Sequence, residues 1–160
     1  MRNKLNFIIA VCLIIGTGIL STINAEEKKK ALPTERVEVY YLHNTFRCLS
    51  CNTIENLTKT AIFGGKGINE KYKNSIDVKP AYQKAIESGK LTFKSVNIDK
   101  KENKHLLTDF HTESKYPVLV KIRNGKIVKT KVLDEVWNLM DENEKFIEYI
   151  QTNLNEFMKK

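Results

Sequence analysis

The stretch RVEVYYLHNTFRCLSCNTIE, residues 36–55, joins an apolar segment to two cysteines that stand three positions apart. Its first nine residues are rich in Val and Tyr, a composition typical of a buried central strand. After the cysteines, Ile54, Leu57 and Ala61 recur at helical spacing. The stretch therefore predicts a strand that leads, through a short loop carrying both cysteines, into a helix.

The rest of the chain extends this strand-helix unit into an α/β fold. Residues 64–90 begin with a GGKG stop and predict a helical insertion, whose helix begins near Pro80 and ends at Gly89. Residues 91–99 predict a strand, and residues 101–113 predict a helix. Asn124-Gly125 then predicts a tight hairpin, and an amphipathic helical region closes the chain. This order predicts a central mixed β-sheet flanked by helices on both faces.

The first 25 residues have the pattern of a secretory signal peptide, with a basic head, an uncharged apolar run from Phe7 to Leu20 and a small-residue end at Ala25. An uncleaved anchor is the alternative, although the run is shorter than the roughly 20 residues that span a bilayer. Cys12 lies in this run and is interpreted as a small apolar residue. Residues 26–34 predict a tether, and residues 35–160 form one domain of an exported protein.

The net charge of +8 comes from lysines that are spread among acidic residues along the chain. A dense basic block with interleaved aromatic residues, which would indicate nucleic-acid binding, is not found in the sequence. The charge is compatible with weak association with an anionic membrane surface. We predict no nucleic-acid partner, no resident metal and no cofactor.

Three interpretations of Cys48 and Cys51 compete. Their spacing would arise by chance only about one time in 70, so it is informative by itself. A structural disulfide would close a very short loop and would constrain the unfolded chain little. A zinc site needs further ligands, and the histidines available for it are dispersed along the chain at His43, His105 and His111. A cuprous ion, which accepts two thiolates, is the metal alternative that survives this argument.

Thiol–disulfide exchange is the third interpretation and the one that the sequence favours. A cysteine at a helix N-terminus meets unpaired N–H groups and the positive end of the helix dipole, which favour its thiolate. Cys48 would then be the attacking nucleophile and Cys51, one turn into the helix, the resolving thiol. Arg47, directly before Cys48, is a candidate for tuning the pKa of that thiol.

The order of these elements resembles the thioredoxin superfamily over about residues 35–155. The strand leading into Cys-x-x-Cys, the later VNID (residues 96–99) and YPVLVKIRNGKIV (residues 116–128) carry the resemblance. It implies that Pro117 is a cis-proline facing the two sulfurs, and that the backbone of Tyr116 binds a substrate chain in extended form.

More narrowly, the region around the cysteines resembles exported bacterial thioredoxin-like proteins of the ArsF family, described as a nitrophenyl-compound nitroreductase subunit. That resemblance implies a location in the bacterial periplasm or cell envelope, and a protein client together with a redox partner.

The chain also departs from the thioredoxin pattern. The buried acid that thioredoxins carry six residues before the first cysteine is replaced by Leu42. The neighbouring His43 is a second candidate for tuning the thiol pKa, although strand alternation places it on the other face from Leu42. The sequence thus predicts a thiol–disulfide oxidoreductase acting on a protein partner. The alternatives are a non-catalytic accessory subunit of a reductase complex and a Cu(I)-binding dithiol protein.

Overall fold

The computed structural model describes residues 32–113 and 115–159. The predicted signal peptide of residues 1–25, Cys12 and most of the predicted tether lie outside the described residues. The described part folds into strands β1 (Glu35–His43), β2 (Gly65–Asn69), β3 (Asn74–Val78), β4 (Leu91–Asn97), β5 (Pro117–Arg123) and β6 (Lys126–Val132), and helices α1 (Leu49–Phe63), α2 (Gln83–Glu87), α3 (His105–Asp109) and α4 (Asn143–Met158). Short 3-10 turns cover Lys101–Asn103 and Asp134–Trp137.

The central sheet has the strand order β4-β1-β5-β6. β1 pairs parallel with β4, with Val39 opposite Phe93, and antiparallel with β5, with Val39 opposite Leu119. β5 and β6 form the antiparallel hairpin that the sequence predicts, and Asn124 and Gly125 both have positive φ, 51° and 76°. This left-handed conformation matches the twist of the two strands, and Asn and Gly adopt it at low cost.

Helices cover both faces of the central sheet, so the predicted mixed sheet with helices on both sides is confirmed. On one face, Val39 and Tyr41 of β1 pack with apolar residues of α1 and α4, among them Leu57 and Phe146. On the other face, Leu42 packs in a second cluster with residues that include Phe110, Val118 and Val120. The two clusters follow directly from the alternation of side chains along β1.

The expected helical insertion after α1 is wrong for most of its length. Residues 65–78 form the β2–β3 hairpin, and only α2 is helical. Gly64, with φ 75°, ends α1 and redirects the chain. A side chain at Gly67 would come within 2.9 Å of the Thr60 hydroxyl, so the absence of a Cβ lets β2 lie directly against α1.

β6 forms one edge of the central sheet. Its exposed residues include Lys126, Lys129 and Lys131, together with the apolar pair Ile127 and Val128, which are 47% and 50% exposed. Lysine is a residue that proteins commonly place on open sheet edges.

Candidate functional site

Cys48 is the N-cap residue of α1, with extended backbone angles of φ −89° and ψ 165°. The backbone N–H of Cys51 donates to the Cys48 sulfur across 3.3 Å. An N-cap side chain normally accepts such a bond from one of the first N–H groups of the helix, which have no partner within the helix itself. Here a sulfur takes that role, so the first cysteine lies at the electropositive end of a 15-residue helix.

The two thiols differ in accessibility and acidity. Cys48 is partly exposed, whereas Cys51 is only 2% exposed, and both are free thiols. Burial acts to raise the pKa of Cys48, but hydrogen bonds from the Cys51 side chain and backbone N–H outweigh it and lower that pKa. Burial and the hydrogen bond to Cys48 raise the pKa of Cys51. The outer thiol is therefore the more acidic of the two.

Lys115 is a contributor to the site that sequence reasoning missed. Its positive charge acts to lower the pKa of both cysteines. Its backbone is held in the left-handed region at φ 75°, and its N–H donates to the Leu42 carbonyl across 2.6 Å, which fixes the loop before β5 beside the end of β1. A single lysine among 27 basic residues gives no sequence signal for this role.

Tyr41 supports the cysteine pair from within the core and was also missed. Its ring is fully buried, and its hydroxyl donates to the Cys51 carbonyl across 2.8 Å. Burial raises the pKa of Tyr41 far above its usual range, so the hydroxyl is a fixed hydrogen-bond donor. The β-rich pattern predicted Tyr41 as a strand residue without indicating that its hydroxyl reaches the first turn of α1.

Arg47, the first candidate for tuning the pKa of Cys48, makes its described contacts with other groups. It forms an ion pair with Glu55 of α1 and lies over the Tyr41 ring at 5.6 Å. Although burial opposes ionisation of Glu55, hydrogen bonds from Lys59 and Arg47 hold its pKa below the usual range. Glu55 is thus a weak base, and it does not replace the acid that position 42 lacks.

His43, the second tuning candidate, lies at the end of β1. Its ring stacks on Tyr41 with centroids 6.3 Å apart, and its Nδ1 is 2.9 Å from the Asn44 carbonyl. It points to the opposite face from Leu42, which is fully buried in the second core cluster. His43 therefore borders the site without a described contact to either sulfur.

Tyr116 and Pro117 lie at the same end of the sheet as the loop that carries Cys48. Pro117 is buried and stands opposite Tyr41 at the start of β5. No peptide bond among the described residues is cis, so the expectation of a cis bond before Pro117 is wrong. The ring of Tyr116 packs edge-on against Trp137 with centroids 6.4 Å apart, which orients this side chain toward the core.

The loop that leads to Cys48 is fixed by Asp99. One carboxylate oxygen accepts from the Thr45 backbone N–H across 2.7 Å, and the other accepts from the Asn44 amide across 2.9 Å. These bonds hold the pKa of Asp99 below its usual value. The last residue of the NID segment thereby positions the loop before the nucleophile.

Within the described ranges, no three His, Cys, Asp or Glu side chains come together in a way that could hold a metal ion. Nor does any described helix have the length and apolar character needed to cross a bilayer. Comparison with known proteins finds no matching family model and no similar curated protein.

Proposed function

We propose that the protein is an exported, thioredoxin-like thiol–disulfide oxidoreductase. The observation that carries the proposal is the unequal Cys48–Cys51 pair, with one accessible sulfur capping a helix and one buried sulfur a turn away. The position of that helix directly after a central strand, in a mixed sheet with a terminal hairpin, supports the thioredoxin-like classification. The relationship to the ArsF family stays a prediction from sequence.

The exchange conserves electrons and protons. The Cys48 thiolate attacks one sulfur of a client disulfide, forms a mixed disulfide and expels the other client sulfur as a thiolate. Cys51 then gives its proton to that thiolate and attacks the Cys48 sulfur. The second client sulfur leaves and takes a proton from water. The client gains two electrons, and the protein is left with a Cys48–Cys51 disulfide that a redox partner must reduce. The reverse sequence oxidises a client dithiol.

A trapping experiment tests this mechanism. Cys51→Ser removes the resolving thiol, so a mixed disulfide at Cys48 should persist and appear as a shifted, reductant-sensitive band on non-reducing gels of envelope extracts. Cys48→Ser, the matched control, and the double variant should give no such band. Mass spectrometry of the band identifies the client.

The copper and accessory-subunit alternatives predict different outcomes. If Cys51→Ser forms no adduct while the reduced wild-type protein binds one cuprous ion tightly, the pair is a metal clip and the redox proposal is refuted. If no adduct forms, no copper binds and insulin disulfides are not reduced, the fold acts as a binding module. A single recurrent adduct indicates a dedicated partner, and many adducts indicate a general oxidoreductase.

The proposed location outside the cytoplasm rests on the signal-like first 25 residues. Protein purified from the native envelope fraction should have an intact mass that begins near Glu26. Recovery of the full-length chain from the membrane would instead support the uncleaved anchor.

A further inference from the structure

A groove beside the first cysteine extends the site beyond the two sulfurs. Leu49 follows Cys48 directly, so their Cα atoms are about 3.8 Å apart. Its side chain is 59% exposed and faces a shallow groove of about 550 Å³ that it shares with Ile68 of β2, which is 50% exposed. Two large apolar side chains left in water in one groove mark an interaction site.

The charged residues that line the groove are mostly basic. Lys66 and Lys73 border it on the hairpin. The carboxylate of Glu70, which also lines it, accepts a hydrogen bond from the Asn52 amide of α1 across 3.1 Å. The groove therefore presents apolar surface and a net positive charge from two lysines and one carboxylate, and it complements a ligand that carries both an apolar group and a negative charge.

The hairpin wall of the groove is preformed. The Ile68 backbone N–H donates to the Asn56 side chain on α1 across 2.7 Å. The buried side chain of Asn69 holds the end of β2 through bonds to the Met140 carbonyl and the Asn143 side chain at 2.7 and 2.8 Å. A rigid wall loses little conformational entropy when a ligand binds, whereas a flexible wall would lose more.

We propose that this groove docks an extended segment of the client protein, in which an apolar side chain and an acidic residue lie close to the reacting cysteine. This inference rests on the proposed thiol exchange and states which client segments would react fastest. In an extended chain, side chains two residues apart point the same way and lie about 7 Å apart. A leucine two residues from the client cysteine would thus reach Leu49 and Ile68 while the cysteine meets Cys48.

The test uses peptides whose single cysteine is joined to thionitrobenzoate in a mixed disulfide. Attack by Cys48 on the peptide sulfur expels yellow thionitrobenzoate, and Cys51 then releases the peptide thiol and leaves the internal disulfide. One peptide carries Leu two residues from its cysteine and Asp nearby. A second replaces Leu with Ser, and a third replaces Asp with Lys. The mixed disulfide of mercaptoethanol with thionitrobenzoate serves as the small probe.

We expect the wild-type protein to react about tenfold faster with the Leu/Asp peptide than with its Ser counterpart, the effect of partly burying one leucine. Ile68→Asp should reduce this ratio to about two or less, because it places a charge where the leucine packs. Ile127→Asp is the matched control, since Ile127 is similarly exposed, on β6, and does not line the groove. It should leave the ratio unchanged and should react with the small probe at the wild-type rate.

The lysines are tested separately. Reversing both charges with Lys66→Glu and Lys73→Glu should abolish the preference for Asp over Lys peptides, and in the wild-type protein that preference should shrink as salt rises. An unchanged Leu preference in Ile68→Asp would overturn the docking inference, as would equal rates for all peptides. If even the small probe releases no thionitrobenzoate, the thiol-exchange function itself fails.

Discussion

Replacing Asn69 with Ala should remove the main anchor of the β2–β3 hairpin. The Asn69 side chain is 0% exposed. Its amide donates to the Met140 carbonyl at 2.7 Å and to Asn143 Oδ1 at 2.8 Å. Its carbonyl accepts from the Tyr72 N–H at 3.1 Å and from the Thr53 hydroxyl at 3.3 Å. One side chain thus joins the hairpin to both α1 and the segment that enters α4.

The expected loss of unfolding free energy follows from these four bonds. A buried hydrogen bond contributes about 1 kcal/mol net, which gives about 4 kcal/mol for the set. Water entering the small space left by the amide recovers part of this, so we expect Asn69→Ala to cost about 3 kcal/mol. Against a typical total of about 5–15 kcal/mol for a folded domain, that is a large fraction.

Urea unfolding of the reduced protein measures the effect, with a shifted midpoint and an unchanged slope. Asn56→Ala is the matched control, because Asn56 also ties the hairpin to α1 but through one solvent-exposed bond of 2.7 Å to the Ile68 N–H. It should cost less than about 1 kcal/mol. Equal losses for the two variants would refute the argument that the buried network holds the hairpin.

The variant Asn69→Asp adds a pH test of the same network. The introduced carboxyl would face the Met140 and Asn143 oxygens, which raises its pKa in the folded state above the unfolded value of about 3.9. Its stability relative to wild type should therefore be greatest below about pH 4 and fall as pH rises. A deficit that does not vary with pH would show that these oxygens do not face the side chain.

Three further predictions concern the cysteine site. Alkylation at mildly acidic pH should label Cys48 much faster than Cys51 because of their opposite pKa shifts and unequal burial, and equal rates would contradict the assigned roles. Lys115→Gln should slow the labelling of Cys48 at low salt, and the difference should shrink at high salt, whereas a salt-independent difference would point to a structural effect. The folded state lowers the pKa of Asp99, so its contribution to stability is present above its unfolded pKa and is lost as pH falls through its folded pKa. The difference in urea midpoint between wild type and Asp99→Asn should therefore be largest near neutral pH and disappear in acid. A difference that persists in acid would contradict the bond to the Thr45 N–H.

The elements that the sequence predicts correctly are those with strong local signals. Asn124-Gly125 defines the β5–β6 hairpin because few other residue pairs adopt two successive positive φ angles. Leu106 and Leu107 of α3 and the adjoining Phe110 lie on the predicted apolar face, and all three belong to or contact the second core cluster. These features depend on backbone geometry and on the spacing of apolar residues along the chain, and both can be recognised within a few residues.

The features that the sequence did not reveal depend on long-range contacts. β2 and β3 have five residues each and little β-branched content, and the bonds of Asn69 to residues about 70 positions away hold them in place. Lys115 is brought to the cysteines by the pairing of β1 with β5. The Cys-x-x-Cys spacing identified Cys48 and Cys51 as the candidate pair, but the groups that surround the pair come from distant parts of the chain.

The lysines of β6 have a consequence for the behaviour of the protein at high concentration. An open edge with Ile127 and Val128 half exposed could otherwise template a strand from a second copy. Antiparallel pairing of two such edges about their midpoint would set Lys129 directly opposite its own counterpart, and like charges so placed are destabilising. The lysines thus oppose self-association through this edge. A change that neutralises these ammonium groups, such as acetylation, would expose an apolar strand able to nucleate ordered aggregates.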